Sequence, residues 1–263
     1  MTTLALYKPD SIDLKVPFPT QWNELTTPEL EFIALYVLSE KKINWPVIFF
    51  ELLALRLKSI TKNASRILKK LDPEQLFLEG LPLIDFLKNE KTLTKFPYAK
   101  LSGIDTPKDD FNSTSVAMYE QAAIHSVKWA NGKTESFLEI IKALLNPYQF
   151  GTQSIYKIEG LYNRFKSWRA NRAIKKLKAA QIQVIFLWHI GCENRLPILF
   201  PRTFDSTKSN EKSNAASFTK IIHQAATSGN YKRSDIRSLE IKELLFDIEC
   251  ALELQEQEKK LNG

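Results

Sequence analysis

The six residues Leu25-Thr26-Thr27-Pro28-Glu29-Leu30 fix the start of a helix more tightly than any other stretch of the chain. With Thr26 as N-cap, the Glu29 side chain can return to the Thr26 N–H while Leu25 reaches Leu30, a capping box with a hydrophobic staple. Proline is tolerated at Pro28 because the first helical turn has no intrahelical donor to lose. The spacing predicts a helix from 27 to about Glu40. Asn44-Trp45-Pro46 restarts the chain, and Val47, Phe50, Leu53, Ala54 and Leu57 recur at helical spacing to about Ile60. Asp72-Pro73-Glu74-Gln75 repeats the cap, proline and capping-box pattern for a short helix that Gly80 and Pro82 terminate.

Ahead of these signals, Leu4 and Leu6, then Ile12, Leu14 and Val16, alternate on either side of Lys8-Pro9-Asp10-Ser11. This predicts a β-hairpin that Pro17-Phe18-Pro19 ends. Residues 81–101 are expected to return one or two short strands to it, and the turn formers of 102–113 mark a domain boundary. Beyond them the pattern turns helical, at about 114–130, 134–145, 153–170, 172–190, 214–228 and 236–260, with a loop over 203–214. The expected fold is mainly α: a small N-terminal β-hairpin or sheet with helices in residues 1–105, then a larger helical part in residues 106–263.

Charge is distributed unevenly. Between Lys157 and Lys178 stand Lys157, Arg164, Lys166, Arg169, Arg172, Lys175, Lys176 and Lys178 against one acid, Glu159, a surplus (8 − 1 = 7) equal to the net +7 of the whole chain. The C-terminal stretch reverses the sign through Glu240, Glu243, Asp247, Glu249, Glu253, Glu256 and Glu258. Aromatic residues interleave with the cations, as they would in a nucleic-acid groove. Ile155, Ile158, Tyr162, Phe165 and Trp168 nevertheless fall at steps of three and four, which predicts a core-facing stripe with the cations on the solvated side. The eight cations are therefore candidate contacts for nucleic acid or for an acidic partner, and the chain's own C-terminal helix is one such acid.

Recognisable chemistry is sparse. No two of His125, His189 and His223 share the spacing that sets a metal on one helical face, and neither Cys192 nor Cys250 sits in a CxxC pair. Both cysteines read as small buried residues, the histidines as core-edge residues with a satisfied hydrogen bond, and Asp109-Asp110 as a solvated turn. With only 8 glycines, no phosphate-cradling glycine loop is found. The expectation is a non-enzyme without metal or cofactor. Two cysteines provide no disulfide framework, and no apolar run approaches spanning length, so a cytoplasmic protein without a membrane anchor is expected.

Pro17-Phe18-Pro19-Thr20-Gln21-Trp22-Asn23-Glu24-Leu25-Thr26 resembles a family of phage and prophage-type proteins of Bacteroidota that carry a "P-x-x-W-[ND]-E-[LI]-T" motif between a short hairpin and a helix. Pro97-Tyr98-Ala99-Lys100-Leu101-Ser102-Gly103 resembles that family's loop before its helical part, with Gly103-Ile104 where Gly-Pro is usual. Leu138 to Pro147, Tyr156, Phe165 and Phe200-Pro201-x-x-Phe204 are similar to its later landmarks.

The resemblance implies an assembly or scaffolding factor of a phage or phage-tail-like particle. Such a factor would work as tail assembly chaperones do, holding a tail or virion protein or a second copy of itself, in the bacterial cytoplasm or on the particle. Trp22 and Glu24 become candidate partner contacts, against a reading in which Trp22 only packs at the start of the first helix. A nucleic-acid-binding accessory protein using residues 157–178 is the alternative.

Overall fold

A computed structural model of the chain describes residues 1–6, 14–38, 42–89, 91–149, 157–204 and 233–261. Among these the protein is mainly helical, with one two-stranded antiparallel sheet. The expected turn at Lys8-Pro9-Asp10-Ser11, the helix at 214–228 and most of the 203–214 loop lie outside the described residues. Contacts divide the chain into two compact units, residues 1–93 with 179–191 and residues 94–178 with 192–263.

In the first unit, β1 (Thr2–Leu6) pairs with β2 (Leu14–Phe18) so that Leu4 faces Val16 and Thr2 faces Phe18. Leu4, Val16 and Phe18 are buried while Lys15 and Pro17 are exposed, the alternation that a half-buried strand requires. Pro17 lies inside the strand rather than ending it. A two-stranded sheet has only edges, where a missing donor costs no ladder bond.

After a 3-10 turn at Trp22–Glu24 come α1 (Thr27–Val37), α2 (Trp45–Ile60), α3 (Ala64–Leu68) and α4 (Pro73–Gly80). The Glu29 carboxylate accepts the Thr26 N–H at 2.7 Å, as the capping box requires. The Asn44 side chain accepts from the Val47 N–H and the Asp72 side chain from the Glu74 N–H, so all three cap signals operate.

Glu29 also does something the cap pattern does not announce. Fully buried, it accepts two hydrogen bonds from the guanidinium of Arg56 on α2, whose Nη2 lies 2.7 Å from Oε2 and 2.9 Å from the Glu24 carbonyl. The buried face of α2 is correspondingly Ile48, Phe49, Leu52, Leu53, Ala54, Arg56 and Leu57, while Val47, expected inside, is exposed. A buried ion pair is costly to break, about 3–5 kcal/mol when one partner is removed, because the other charge is stranded in the core.

A 3-10 segment (Leu81–Leu87) follows α4 directly, and among the described residues 81–101 form no strand of the sheet. Gly80 lets the end of α4 pack closely on α2, since a Cβ there would lie 1.9 Å from the Phe49 ring. The first part of α8 (Ala179–Leu199) completes this unit, with every residue from Val184 to His189 buried. A helix apolar on all sides has to be enclosed.

The second unit contains α5 (Val116–Ala130), α6 (Ser136–Leu145), α7 (Lys157–Ile174), the end of α8, α9 (Arg233–Ser238) and α10 (Ile241–Leu261). The α5–α6 hairpin turns at Gly132, at φ +84°, and is closed by Trp129 against Phe137, ring centroids 5.8 Å apart. The single helix expected over 236–260 is interrupted. Val116 N–H donates to the Leu239 carbonyl and Ile241 N–H to the Thr114 carbonyl, both at 2.9 Å, so a short bridge between Ser115 and Glu240 separates α9 from α10. Arg237, its Nε 2.9 Å from Glu120, holds α9 to α5 beside that bridge.

Candidate nucleic-acid interface

The side of α7 that packs is set by small and polar residues. Ala170 and Ile174 are buried, with Asn163, Ser167 and Asn171 half-buried on the same side. Asn146, completely buried at the C-cap of α6, aims its Nδ2 at this side. It lies 3.0 Å from Ser167 Oγ, 3.3 Å from the Ser167 carbonyl and 3.1 Å from Asn171 Oδ1. Small residues allow α7 to approach closely, and the Asn146 Nδ2 donates to the polar groups on this side, while its own Oδ1 is buried without a hydrogen-bond partner.

That choice turns the aromatic stripe outward, which overturns the core-facing expectation. Leu161 is 65% exposed, Tyr162 54%, Phe165 58% and Trp168 57%. The reason is geometric. Steps of three residues fall about 60° short of a full turn, so Tyr162, Phe165 and Trp168 drift around the helix instead of holding one line. The drift carries them onto the face opposite Ala170 and Ile174. Ile155 lies outside the described residues, and so does the side chain of Ile158.

Exposed cations stand on the same helix and in the turn that follows it. Arg164, Arg169, Arg172, Lys175, Lys176 and Lys178 are exposed and Lys166 is half-buried, while Lys157 is the first residue of α7 with its side chain outside the described residues. Rings and charges are in contact. The Arg172 guanidinium lies 5.7 Å from the Trp168 ring centroid, and the Lys166 ammonium 5.3 Å from that of Tyr162 and 5.7 Å from that of Tyr148. Tyr148 is itself anchored by donating its hydroxyl to the Asp105 carboxylate. That bond, with some burial, pushes its phenol up to about 12.

A surface cavity of about 390 Å³, formed by residues 99–106, lies beside this helix. Gly103, at φ +77°, brings the loop so close that a Cβ would stand 3.3 Å from Ala173 Cβ and 3.9 Å from Arg169 Nε. Neither Tyr148 nor this loop has a sequence signal tying it to the basic stretch.

Three acids of the C-terminal helix, Glu249, Glu253 and Glu256, are engaged elsewhere. Glu249 of α10 accepts the backbone N–H groups of Arg202 and Thr203 at 3.0 and 2.9 Å and the Thr203 hydroxyl at 2.8 Å. The Arg202 guanidinium lies 3.3 Å from Glu256, 3.5 Å from Glu249 and 3.7 Å from Glu253. Burial pulls the Glu249 carboxyl upward, but the two amides, the hydroxyl and the guanidinium outweigh it and hold the group below its ordinary range. The spacing of Glu249, Glu253 and Glu256 along one helical side is readable from sequence; their partner is not. Among the described residues no carboxylate forms an ion pair with Arg164, Lys166, Arg169, Arg172, Lys175 or Lys176.

The other candidate residues are structural by position. Trp22 is 1% exposed and set edge-on against Phe86 at 6.3 Å, so it has almost no surface to give a partner. Glu24 accepts from the Met1 amino group and from the Thr20 N–H and hydroxyl, the amino group being the largest of the influences that bring its carboxyl down to about 2.

Of Asp109-Asp110, expected to be a solvated turn, Asp109 is exposed but Asp110 is half-buried and ion-paired. Asp109 accepts the Phe96 N–H at 2.7 Å, and Asp110 is paired with Lys242 and, at 3.2 Å, with Arg195, while Asp110 and Phe111 stand at φ +57° and +60°. Cys192 is buried, but Cys250 is exposed. His125 keeps a buried Nδ1 without a hydrogen-bond partner, and burial, with Lys128 adding to it, lowers its imidazole from the usual value. His189 is buried, and His223 lies outside the described residues. Among the described residues no group of histidine, cysteine, aspartate and glutamate side chains is placed to hold a metal ion, and no helix is long and apolar enough to cross a membrane. No family model matches the chain, and neither the curated proteins nor the solved structures give a match.

Proposed function

We propose that this is a non-enzymatic binding protein that holds nucleic acid against the basic, aromatic face of α7. The observation that carries the reading is the outward surface of residues 161–176, where exposed rings stand among Arg164, Lys166, Arg169, Arg172, Lys175 and Lys176, none of which forms an ion pair with a described carboxylate. Phosphate-neutralising charge suffices for non-specific binding and makes it depend on salt.

The test is fluorescence anisotropy of a labelled oligonucleotide titrated with the protein at rising ionic strength. With about four phosphates neutralised, log K should fall with log salt at a slope of about −3. Affinity independent of salt, or no binding at low salt, contradicts the reading.

A second reading is the assembly factor that the phage-type resemblance implies, with a tail or virion protein or another copy of the chain as partner. Its support is the surface of α10, where Phe246 (61% exposed), Leu254 (60%) and Leu261 (85%) stand exposed along a helix rich in acids. Light scattering after gel filtration, alone and with a co-expressed tail protein, tests it. A stable complex that Phe246→Glu abolishes favours this reading, and a monomer under both conditions counts against it.

A further inference from the structure

Charge neutralisation explains the cations of α7 but not its rings. A duplex presents phosphates and keeps its base faces stacked inside, so Tyr162, Phe165 and Trp168 would meet nothing there that a smaller polar residue could not meet as well. An unpaired strand presents both kinds of group, phosphates to the cations and flat base faces to the rings.

The details of the face fit the second kind of ligand. Phe165 and Trp168 stand with centroids 6.1 Å apart and planes inclined by 32°, adjacent on the surface. Two of the three rings have a cation over them, Arg172 over Trp168 and Lys166 over Tyr162. Lys166 is braced from its other side by Tyr148, which the Asp105 bond fixes.

We propose that α7 takes single-stranded nucleic acid, with bases stacked on Tyr162, Phe165 and Trp168 while Arg164, Arg169, Arg172 and Lys176 neutralise its phosphates. The proposal rests on the nucleic-acid reading above and sharpens its ligand class.

The experiment compares the full chain binding a labelled single strand, the duplex of the same sequence, and vesicles of phosphatidylglycerol, at one salt concentration. The single strand is expected to bind at least about tenfold more tightly than the duplex. Trp168→Ala should weaken single-strand binding by about five- to a hundredfold and leave the salt slope unchanged, while Trp168→Phe keeps a ring and restores most of the affinity. Because Trp168 is exposed, the thermal midpoint of both variants serves as a check that folding is intact.

Equal affinity for duplex and single strand overturns the proposal, as does a Trp168→Ala variant that binds like the parent or a preference for vesicles. Those results leave salt-dependent nucleic-acid binding standing or falling by its own titration. Failure to bind any oligonucleotide at low salt removes both readings.

Discussion

Helices α7 and α10 belong to the same unit and carry opposite charge, yet they have been treated differently by the fold. On α10, Glu249, Glu253 and Glu256 converge on Arg202 and on two backbone amides, and Lys242 turns to Asp110. Their charge is spent inside the molecule. On α7, Lys166 and Arg172 lie over aromatic rings rather than against carboxylates, and the rings themselves remain more than half exposed. Charge that a protein neutralises for itself stabilises the fold, whereas charge held unneutralised on one surface creates a field that steers an oppositely charged ligand. The difference separates a structural helix from a presenting one.

The sharpest way to break the comparison is to reverse charge on α7 and the turn that follows it. Arg169→Glu, Arg172→Glu and Lys176→Glu together should reduce oligonucleotide affinity at least about a hundredfold. Each exposed substitution should change stability by no more than about 0.5 kcal/mol. A large fall in the melting midpoint would show that these cations hold the fold after all.

The next largest effect is expected where α7 is seated. Asn146→Ala strands the polar groups of Ser167 and Asn171 that its Nδ2 now satisfies, and a loss of about 1–3 kcal/mol in denaturant unfolding should follow. An unchanged midpoint would mean that α7 is oriented by something other than this seam.

The smallest effect belongs to α10. Arg202→Ala removes an exposed network and should cost about 1 kcal/mol or less, with oligonucleotide affinity unaltered. Its pH dependence gives a second check. The Glu249 carboxyl is lowered in the folded chain, so its contribution is complete above the ordinary carboxylate value of 4.5 and is lost as pH falls below it. Thr203→Val, which deletes the hydroxyl donor, should flatten that acid limb of the stability profile. A steeper limb would reverse the assignment.

What the sequence could and could not disclose follows from the range of the interactions involved. The starts of α1, α2 and α4 were legible because capping is local: Thr26 and Glu29, Asn44 and Val47, Asp72 and Glu74 are near neighbours in the chain. The basic stretch was legible because charge can simply be counted along the chain. The orientation of α7 was not, because it depends on Asn146, which lies outside that helix and seats its small, polar side. Apolar periodicity marks which residues could be inside, and the neighbour decides which are. The same limit hid Arg56 behind Glu29, Arg202 behind three glutamates, and Lys242 behind Asp110, all pairs distant in sequence.

Photocrosslinking of a bound single-stranded oligonucleotide, with the attached peptides identified by mass spectrometry, tests the central claim most directly. Adducts on Tyr162, Phe165 or Trp168, suppressed by salt and absent after charge reversal on α7, are the predicted result. Crosslinks confined to peptides outside residues 157–178, or a pattern that the reversal leaves intact, would contradict the account.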